Sequence, residues 1–247
     1  MTTRVAPRPV QISGAAVLPL LLALALVGAA IAYPLTTGPA RDAVSWTIVV
    51  LGAALSVAHA VLSHGARTGL GLLLLVGTTA IAFEAVGLAT GVPFLVPLAW
   101  LMMAWPSWLL AERLARRRTV RIAVAAGIFA AWDVVLDPQM VQAGYWTWAH
   151  PSPGLPGIDT VPLTNLAGWL LAGAVLMTLL DLMVERTAVA DAPRIGIAAP
   201  MLALGWMTLG GALAHAGWLG LPGSAAWGAA LSVPVLVALA VQWRALR

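Results

Sequence analysis

The fold is decided by the sequence Trp132-Asp-Val-Val-Leu-Asp-Pro138, which is followed by Gly144-Tyr-Trp-Thr-Trp148 and by Val161-Pro-Leu-Thr-Asn165-Leu-Ala-Gly-Trp169. These segments place two carboxylates, an aromatic loop and an amide between two long apolar runs. Ionisable side chains are costly at membrane depth, and a chain that keeps them there usually has a use for them. We therefore expect this stretch to supply the chemistry of a membrane protein.

The composition of the whole chain is strongly apolar. Its 247 residues are 61% hydrophobic and 9% charged, with a mean hydropathy of +0.94, whereas soluble domains are about half apolar and about a quarter charged. The sequence therefore predicts an all-α polytopic membrane helical bundle, with residues 1–247 forming a single integral membrane domain. Nucleic acid is not an expected partner, because the Arg residues fall in short segments between apolar runs.

The apolar runs predict the number of transmembrane helices. A spanning helix needs about 20 apolar residues. Pro138 should end the fifth span at Asp137, because proline disfavours a helical conformation of the residue before it. The remaining segments include a tail at 1–14 and an aromatic loop at 138–162. The eight predicted spans are 15–33, 45–63, 69–89, 93–111, 120–137, 163–184, 197–217 and 225–243.

The Arg residues predict the orientation of these spans. If the N-terminus is cytoplasmic, Arg41 lies outside and all the other Arg residues lie inside. Cytoplasmic segments collect Arg and Lys, so we expect a multi-pass cell-membrane protein with both termini in the cytoplasm and the 138–162 loop outside. Asp181, Glu185 and Arg186 fall at an inner helix end and are expected to form a solvated face.

Polar residues from four predicted spans fall at the same outer depth. Glu84 lies late in the third span, and Asp133 and Asp137 end the fifth. Asn165 opens the sixth span, and His215 ends the seventh. Because such groups should not face lipid, we expect the three carboxylates and Asn165 to share one cavity.

Each of these residues also has a structural interpretation. Thr164 or Asn165 would suit the N-cap of a helix. Asp137 would suit an interfacial turn, and His215 would suit an interhelical hydrogen bond. The aromatic loop fits either the headgroup layer of a bilayer or a lid over a site. Its aromatic residues are Tyr145, Trp146 and Trp148.

The sequence shows no pattern typical of a metal site or of a phosphate-binding loop. The chain has no Cys, and its four His residues are scattered. It contains no Gly-rich phosphate loop, no His-x-x-x-His pair and no Gly-x-Ser-x-Gly elbow.

Four motifs fall within residues 83–170. They are Phe83-Glu84…Gly87…Thr90-Gly-Val-Pro-Phe94, Asp133…Asp137-Pro138, the aromatic loop 144–148, and Val161-Pro-Leu-Thr-Asn165…Gly168-Trp169. Together they resemble the carotenoid biosynthesis membrane protein family, which includes carotenoid 1,2-hydratases and bisanhydrobacterioruberin hydratases. The chain departs from the family after Phe94, where the family carries a Tyr-rich segment and this chain continues with Pro97-Leu-Ala-Trp100.

The resemblance implies an enzyme that adds water, without a cofactor, to a terminal carbon–carbon double bond of a long isoprenoid polyene. The implied partners are a lipophilic polyene that enters from the bilayer and other carotenoid biosynthesis enzymes. One carboxyl group would give a proton to the less substituted alkene carbon. A second would take a proton from the water that adds to the resulting tertiary cation.

The depth of the carboxyl groups predicts their roles in this reaction. Asp133 lies one helical turn deeper than Asp137, about 6 Å, so it is the expected general acid, because burial favours the neutral form of a carboxyl group. Asp137 is then the expected base, and Glu84 is the competing acid. The expected substrate-binding residues are Asn165, Trp132, Tyr145, Trp146, Trp148, Trp169 and His215.

Two other functions fit the same residues. An isomerase or cyclase of carotenoid end groups would use the same protonation. A transporter or scaffold protein would keep buried carboxylates without catalysis.

Overall fold

The computed structural model describes residues 14–87, 95–189 and 195–245. Helices dominate these residues, and no strand occurs among them. Six of the helices are long and apolar enough to cross a membrane. The predicted all-α membrane helical bundle is therefore confirmed. The helices are α1 Gly14–Ala32, α2 Gly38–His64, α3 Ala66–Gly87, α4 Leu95–Leu114, α5 Arg118–Gln142, α6 Leu163–Thr187, α7 Ala198–Gly205, α8 Gly211–Ala214 and α9 Pro222–Ala245.

The seventh predicted span is one irregular helical rod. α7 and α8 are joined by a π-helical turn at Trp206–Gly210, and a second π-turn at His215–Leu219 follows α8. Such turns are rare and occur frequently at functional sites. With α9, the described residues form eight helical segments near the eight predicted spans. The six from α1 to α6 have the length and hydropathy expected of a membrane span. The predicted tail, apart from Gly14, lies outside the described residues.

α5 continues through Pro138 to Gln142, so the predicted end of this span at Asp137 is wrong. Proline has no N–H to donate to the carbonyl four residues earlier. That carbonyl belongs to Val134, and the hydroxyl of Ser224 in α9 donates to it at 3.3 Å. A serine from a neighbouring helix thus compensates the proline, as it can in membrane helices.

α4 repeats this arrangement at the centre of the bundle. Pro106 lies inside α4, and the hydroxyl of Ser56 in α2 donates to the freed carbonyl of Met102 at 3.4 Å. All residues of α4 from Ala99 to Ala111 are buried, and α4 packs against α2, α3 and α5. Residues in the first half of this helix line the cavity at the candidate site.

The two ends of the bundle differ in charge. At the end that we call the arginine end, Asp181 of α6 is buried and accepts hydrogen bonds from Nε and Nη2 of Arg121 at 2.7 and 2.8 Å. Nε of Arg118 lies 3.0 Å from the same carboxylate, and Nε1 of Trp108 donates to it at 3.1 Å. Asp181 is therefore a buried ion-pair residue, and the expectation that it lies on a solvated face is wrong.

The loop 143–162 folds over the opposite end, which we call the carboxylate end. The indole N–H of Trp227 in α9 donates to the carbonyl of Pro156 at 3.0 Å. Gly157 approaches Gly223 so closely that a Cβ on Gly223 would lie 1.9 Å from the Gly157 carbonyl oxygen. These contacts hold the loop against the bundle.

Candidate active site

A cavity of about 320 Å³ lies at the carboxylate end, between α2, α3, α4, α5 and α6. Its wall is mainly apolar. Glu84 of α3, Asp137 and Gln139 of α5, and Asn165 of α6 bring polar groups to it. Its size is at the lower end of the range for small-molecule sites.

Asn165 bridges the two carboxyl groups of α5. Its Nδ2 donates to Oδ2 of Asp133 at 2.8 Å and to Oδ2 of Asp137 at 2.7 Å. The N-cap of α6 is Pro162, and it makes no side-chain capping hydrogen bond. The side-chain donors of Asn165 thus serve the carboxyl pair rather than the helix end.

The second oxygen of Asp137 also has a donor. Nε1 of Trp146, in the loop, donates to Oδ1 at 3.0 Å. Trp146 and Trp148 both line the cavity, so the aromatic loop covers it. Within the described residues, the ion pairs formed by Arg side chains lie at the arginine end, and none reaches Asp133 or Asp137.

Asp133 lies behind the cavity wall. It is only 2% exposed, and it borders a separate space of about 20 Å³ instead of the large cavity. Its Oδ1 has no hydrogen-bond partner among the described residues. The expectation that all three carboxylates and Asn165 line one cavity therefore holds for Glu84, Asp137 and Asn165 but not for Asp133.

Aromatic rings form one side of the cavity. The ring centroids of Trp100 and Trp169 are 5.1 Å apart, and those of Trp132 and Trp169 are 6.3 Å apart. Phe83 lies 6.2 Å from Trp100 by the same measure. These four side chains line the cavity, and we call them the aromatic wall. The sequence prediction missed Trp100 and Phe83 as site residues, although Phe83 adjoins Glu84.

Two predicted substrate-binding residues lie away from the cavity lining. The hydroxyl of Tyr145 donates to Oδ1 of Asp42 at 2.7 Å, which fixes the start of the loop to α2. His215 is fully buried and bonds to Ser224 and Gln139. Gln139 itself lines the cavity and was not predicted, although an amide two residues after Asp137 in an apolar helix is an available signal.

No cluster of three or more His, Asp or Glu residues suited to a metal ion occurs among the described residues. The polar groups around the cavity are carboxyl, amide, hydroxyl and indole groups. This set can donate and accept protons and hydrogen bonds next to an apolar molecule.

Comparison with known proteins agrees with this architecture. A family model described as carotenoid biosynthesis protein matches residues 90–235. Bisanhydrobacterioruberin hydratase of Haloarcula japonica is 33% identical over 99 residues, covering 38% of this chain and 32% of the hydratase. The chain thus aligns with about a third of that relative's length. No solved structure matches the chain. Because the family model covers more than half of the chain, the protein belongs to the carotenoid biosynthesis protein family.

Proposed function

We propose that the protein is a membrane enzyme that adds water to a terminal double bond of a long isoprenoid polyene. The observation that carries this proposal is the placement of two carboxyl groups from different helices, Glu84 and Asp137, on one apolar cavity with an aromatic wall. The hydratase named among its relatives performs a reaction of the proposed class, as its name states.

The hydrogen bonds favour different roles for the two carboxyl groups. Asp137 accepts N–H donors at both oxygens, from Asn165 and Trp146. Hydrogen bonds of this kind stabilise a carboxylate, so Asp137 suits the base. Glu84 receives no such pair of donors from the described residues and lies beside apolar groups, so it suits the acid.

We propose a role for Asp133 that differs from the one expected from its depth. It borders a separate space of about 20 Å³ and does not line the large cavity, so Glu84 and Asp137 are the carboxyl groups that face an alkene placed there. It shares the amide of Asn165 with Asp137. We therefore assign Asp133 as a positioning residue that fixes Asn165, and through it the orientation of Asp137.

The proposed reaction balances with water as the only co-substrate. Glu84 gives its proton to the less substituted alkene carbon, and the alkene π electrons form the new C–H bond. The more substituted carbon becomes a tertiary cation next to the aromatic wall, whose ring faces attract positive charge. Water forms the C–O bond and loses a proton to Asp137. Passage of that proton to Glu84 restores the starting state.

The cavity has room for the end of a polyene but not for all of it. A long polyene must therefore extend from the cavity into the bilayer. Gly168 of α6 is exposed and lines the cavity, and a Cβ there would meet no atom within 4 Å. We propose that the substrate passes beside Gly168, because this position is open on the surface of a lipid-crossing helix.

The proposed topology follows the Arg distribution. The arginine end would face the cytoplasm and the carboxylate end would face outward, with both termini inside. Reporter fusions after residue 245 and within 143–162 test it. An outer signal at the C-terminus, or an inner signal in the loop, contradicts it.

Pigment analysis tests the reaction. The gene is expressed in a bacterium that makes acyclic carotenoids. The pigments are then separated by chromatography, and their masses are determined by mass spectrometry. The proposal expects products heavier by one water, and in heavy water one solvent deuterium at the carbon next to the new alcohol. A ring or an unhydrated isomer supports a cyclase or isomerase instead. Unchanged pigments support a transporter or scaffold.

A further inference from the structure

Gln139 connects the cavity to a buried hydrogen-bonded chain. Its side chain lines the cavity, and its Oε1 lies 3.0 Å from Nε2 of His215. Nδ1 of His215 lies 2.8 Å from the hydroxyl of Ser224. His215 is 0% exposed and Ser224 is 1% exposed, so solvent does not compete for these bonds. His215 and Ser224 therefore fix the terminal amide of Gln139 from the side opposite the cavity.

The backbone is arranged to make this chain possible. His215 begins the π-turn His215–Leu219, which changes the direction of side chains along the rod. Ser224 is also the residue that donates to the carbonyl freed by Pro138. Gln139 follows Pro138 directly. One serine thus compensates the proline and contacts the histidine that holds Gln139.

This arrangement leaves one polar end of the Gln139 amide for the cavity. An amide has one donor end and one acceptor end. His215 occupies one of them, and the other remains, whichever ring nitrogen of His215 carries the hydrogen. Tyr33 and Asp137 also bring polar groups to this cavity. A water molecule held by Gln139 needs at least one further polar partner, and these side chains can supply it.

We infer that Gln139 holds the water that adds to the substrate cation, and that His215 and Ser224 position Gln139. This inference rests on the proposed hydration. Gln139 and Asp137, the proposed base, both line the same cavity of about 320 Å³. A water held by Gln139 therefore lies in the same space as the carboxylate that takes its proton.

The inference predicts a change in how the substrate cation divides between hydrated product and alkene. The cation either captures water or loses a proton and returns to alkene. In heavy water, return by loss of hydrogen leaves deuterium in the recovered alkene. If Gln139 places the water, its removal slows capture but not protonation. Hydration falls, while deuterium entry into unreacted substrate continues.

The test measures both quantities in membranes that contain the full-length protein. Q139M keeps a side chain of similar length without the amide. Loss of one hydrogen bond to the water is expected to lower the ratio of hydrated product to deuterated alkene by about two- to tenfold. S224A should lower the ratio in the same direction by a smaller factor. Q142M is the matched control, because Gln142 lies on the same helix and donates to the carbonyl of Leu219 outside the cavity.

The ratio separates the outcomes. A variant that merely folds poorly loses hydration and deuterium entry together, so its ratio stays at the wild-type value. An unchanged ratio in Q139M, with hydration intact in the wild type, overturns this inference alone. A wild-type protein that forms neither hydrated product nor deuterated alkene overturns the proposed function instead.

Discussion

Asn165 offers the most direct test of the carboxyl site. The N165L variant keeps a side chain of similar size but removes both N–H donors, at 2.7 and 2.8 Å from Asp137 and Asp133. A hydrogen bond to a charged group contributes about 1.5–3 kcal/mol, and one to a neutral group contributes about 0.5–1.5 kcal/mol. If one of the two carboxyl groups is charged, N165L should lower the free energy of unfolding by about 2–4.5 kcal/mol.

The same variant should slow hydration. If the bond to Asp137 is needed when that carboxylate takes the proton, its loss corresponds to about 10- to 150-fold in turnover. Denaturant unfolding in detergent and turnover per folded protein measure the two effects. T178V is the control, because Thr178 lies on the same helix and bonds only to the carbonyl of Ala174. An N165L protein with wild-type stability and turnover would refute the proposed bridge.

A charge-changing variant adds the pH dependence. N165D puts a third carboxyl group between the two carboxyl groups of α5. Ionisation of this group as the pH rises brings like charges together, so N165D should lose stability relative to the wild type with increasing pH. Unfolding measured from pH 5 to pH 8 checks this sign. A constant or shrinking difference would show that the side chain has turned away from the carboxyl pair.

Three further predictions follow from the placement of other residues. E84Q and D137N should each lower hydration by about 10²- to 10⁴-fold, which is the usual contribution of a general acid or base. D133N should retain more activity than either variant. If D133N instead loses the most activity in the pigment assay, Asp133 is the acid. G168L should narrow the cavity entrance, because a Cβ at this position has open space around it and the longer side chain continues from there. It should lower hydration of long polyenes more than that of short isoprenoid alkenes, and equal loss for both would argue against entry there. D181N should lower the free energy of unfolding by about 1–3 kcal/mol, because the two Arg side chains that lose their partner are partly exposed. It should leave turnover per folded protein unchanged. A specific loss of turnover would show that the two ends of the bundle are coupled.

The helical membrane bundle could be predicted because apolar runs of sufficient length leave few alternatives in a bilayer. The errors lie where tertiary contacts override a local rule. Pro138 is a helix-ending signal in isolation. In the fold, the hydroxyl of Ser224, which is distant in sequence, donates a hydrogen bond to the carbonyl that Pro138 leaves free. Asp181 looks like a solvated residue until Arg121 and Trp108 from other helices enclose it. No local pattern contains these partners.

The carboxyl site shows the same limit at finer scale. Matching the depth of residues on different spans was sufficient to bring Glu84, Asp137 and Asn165 to one cavity. Depth alone does not give the direction of a side chain around its helix axis. Asp133 and Asp137 are one turn apart, yet they border different spaces on the two sides of Asn165. The prediction of roles from burial named Asp133, which does not line the large cavity, and the choice between Asp133 and Glu84 as the acid stays a prediction.

The contrast between the two ends of the bundle explains how such a site can be retained. At the arginine end, Asp181 has cations on one side and an indole donor on another, so its charge is balanced. At the carboxylate end, Asp133 and Asp137 receive only neutral donors from the described residues. Two carboxyl groups without a cation repel each other when both are charged, and the N–H donors of Asn165 and Trp146 offset part of this repulsion. A bundle stabilised elsewhere can tolerate the repulsion that remains, which leaves Asp137 on the cavity as the proposed base.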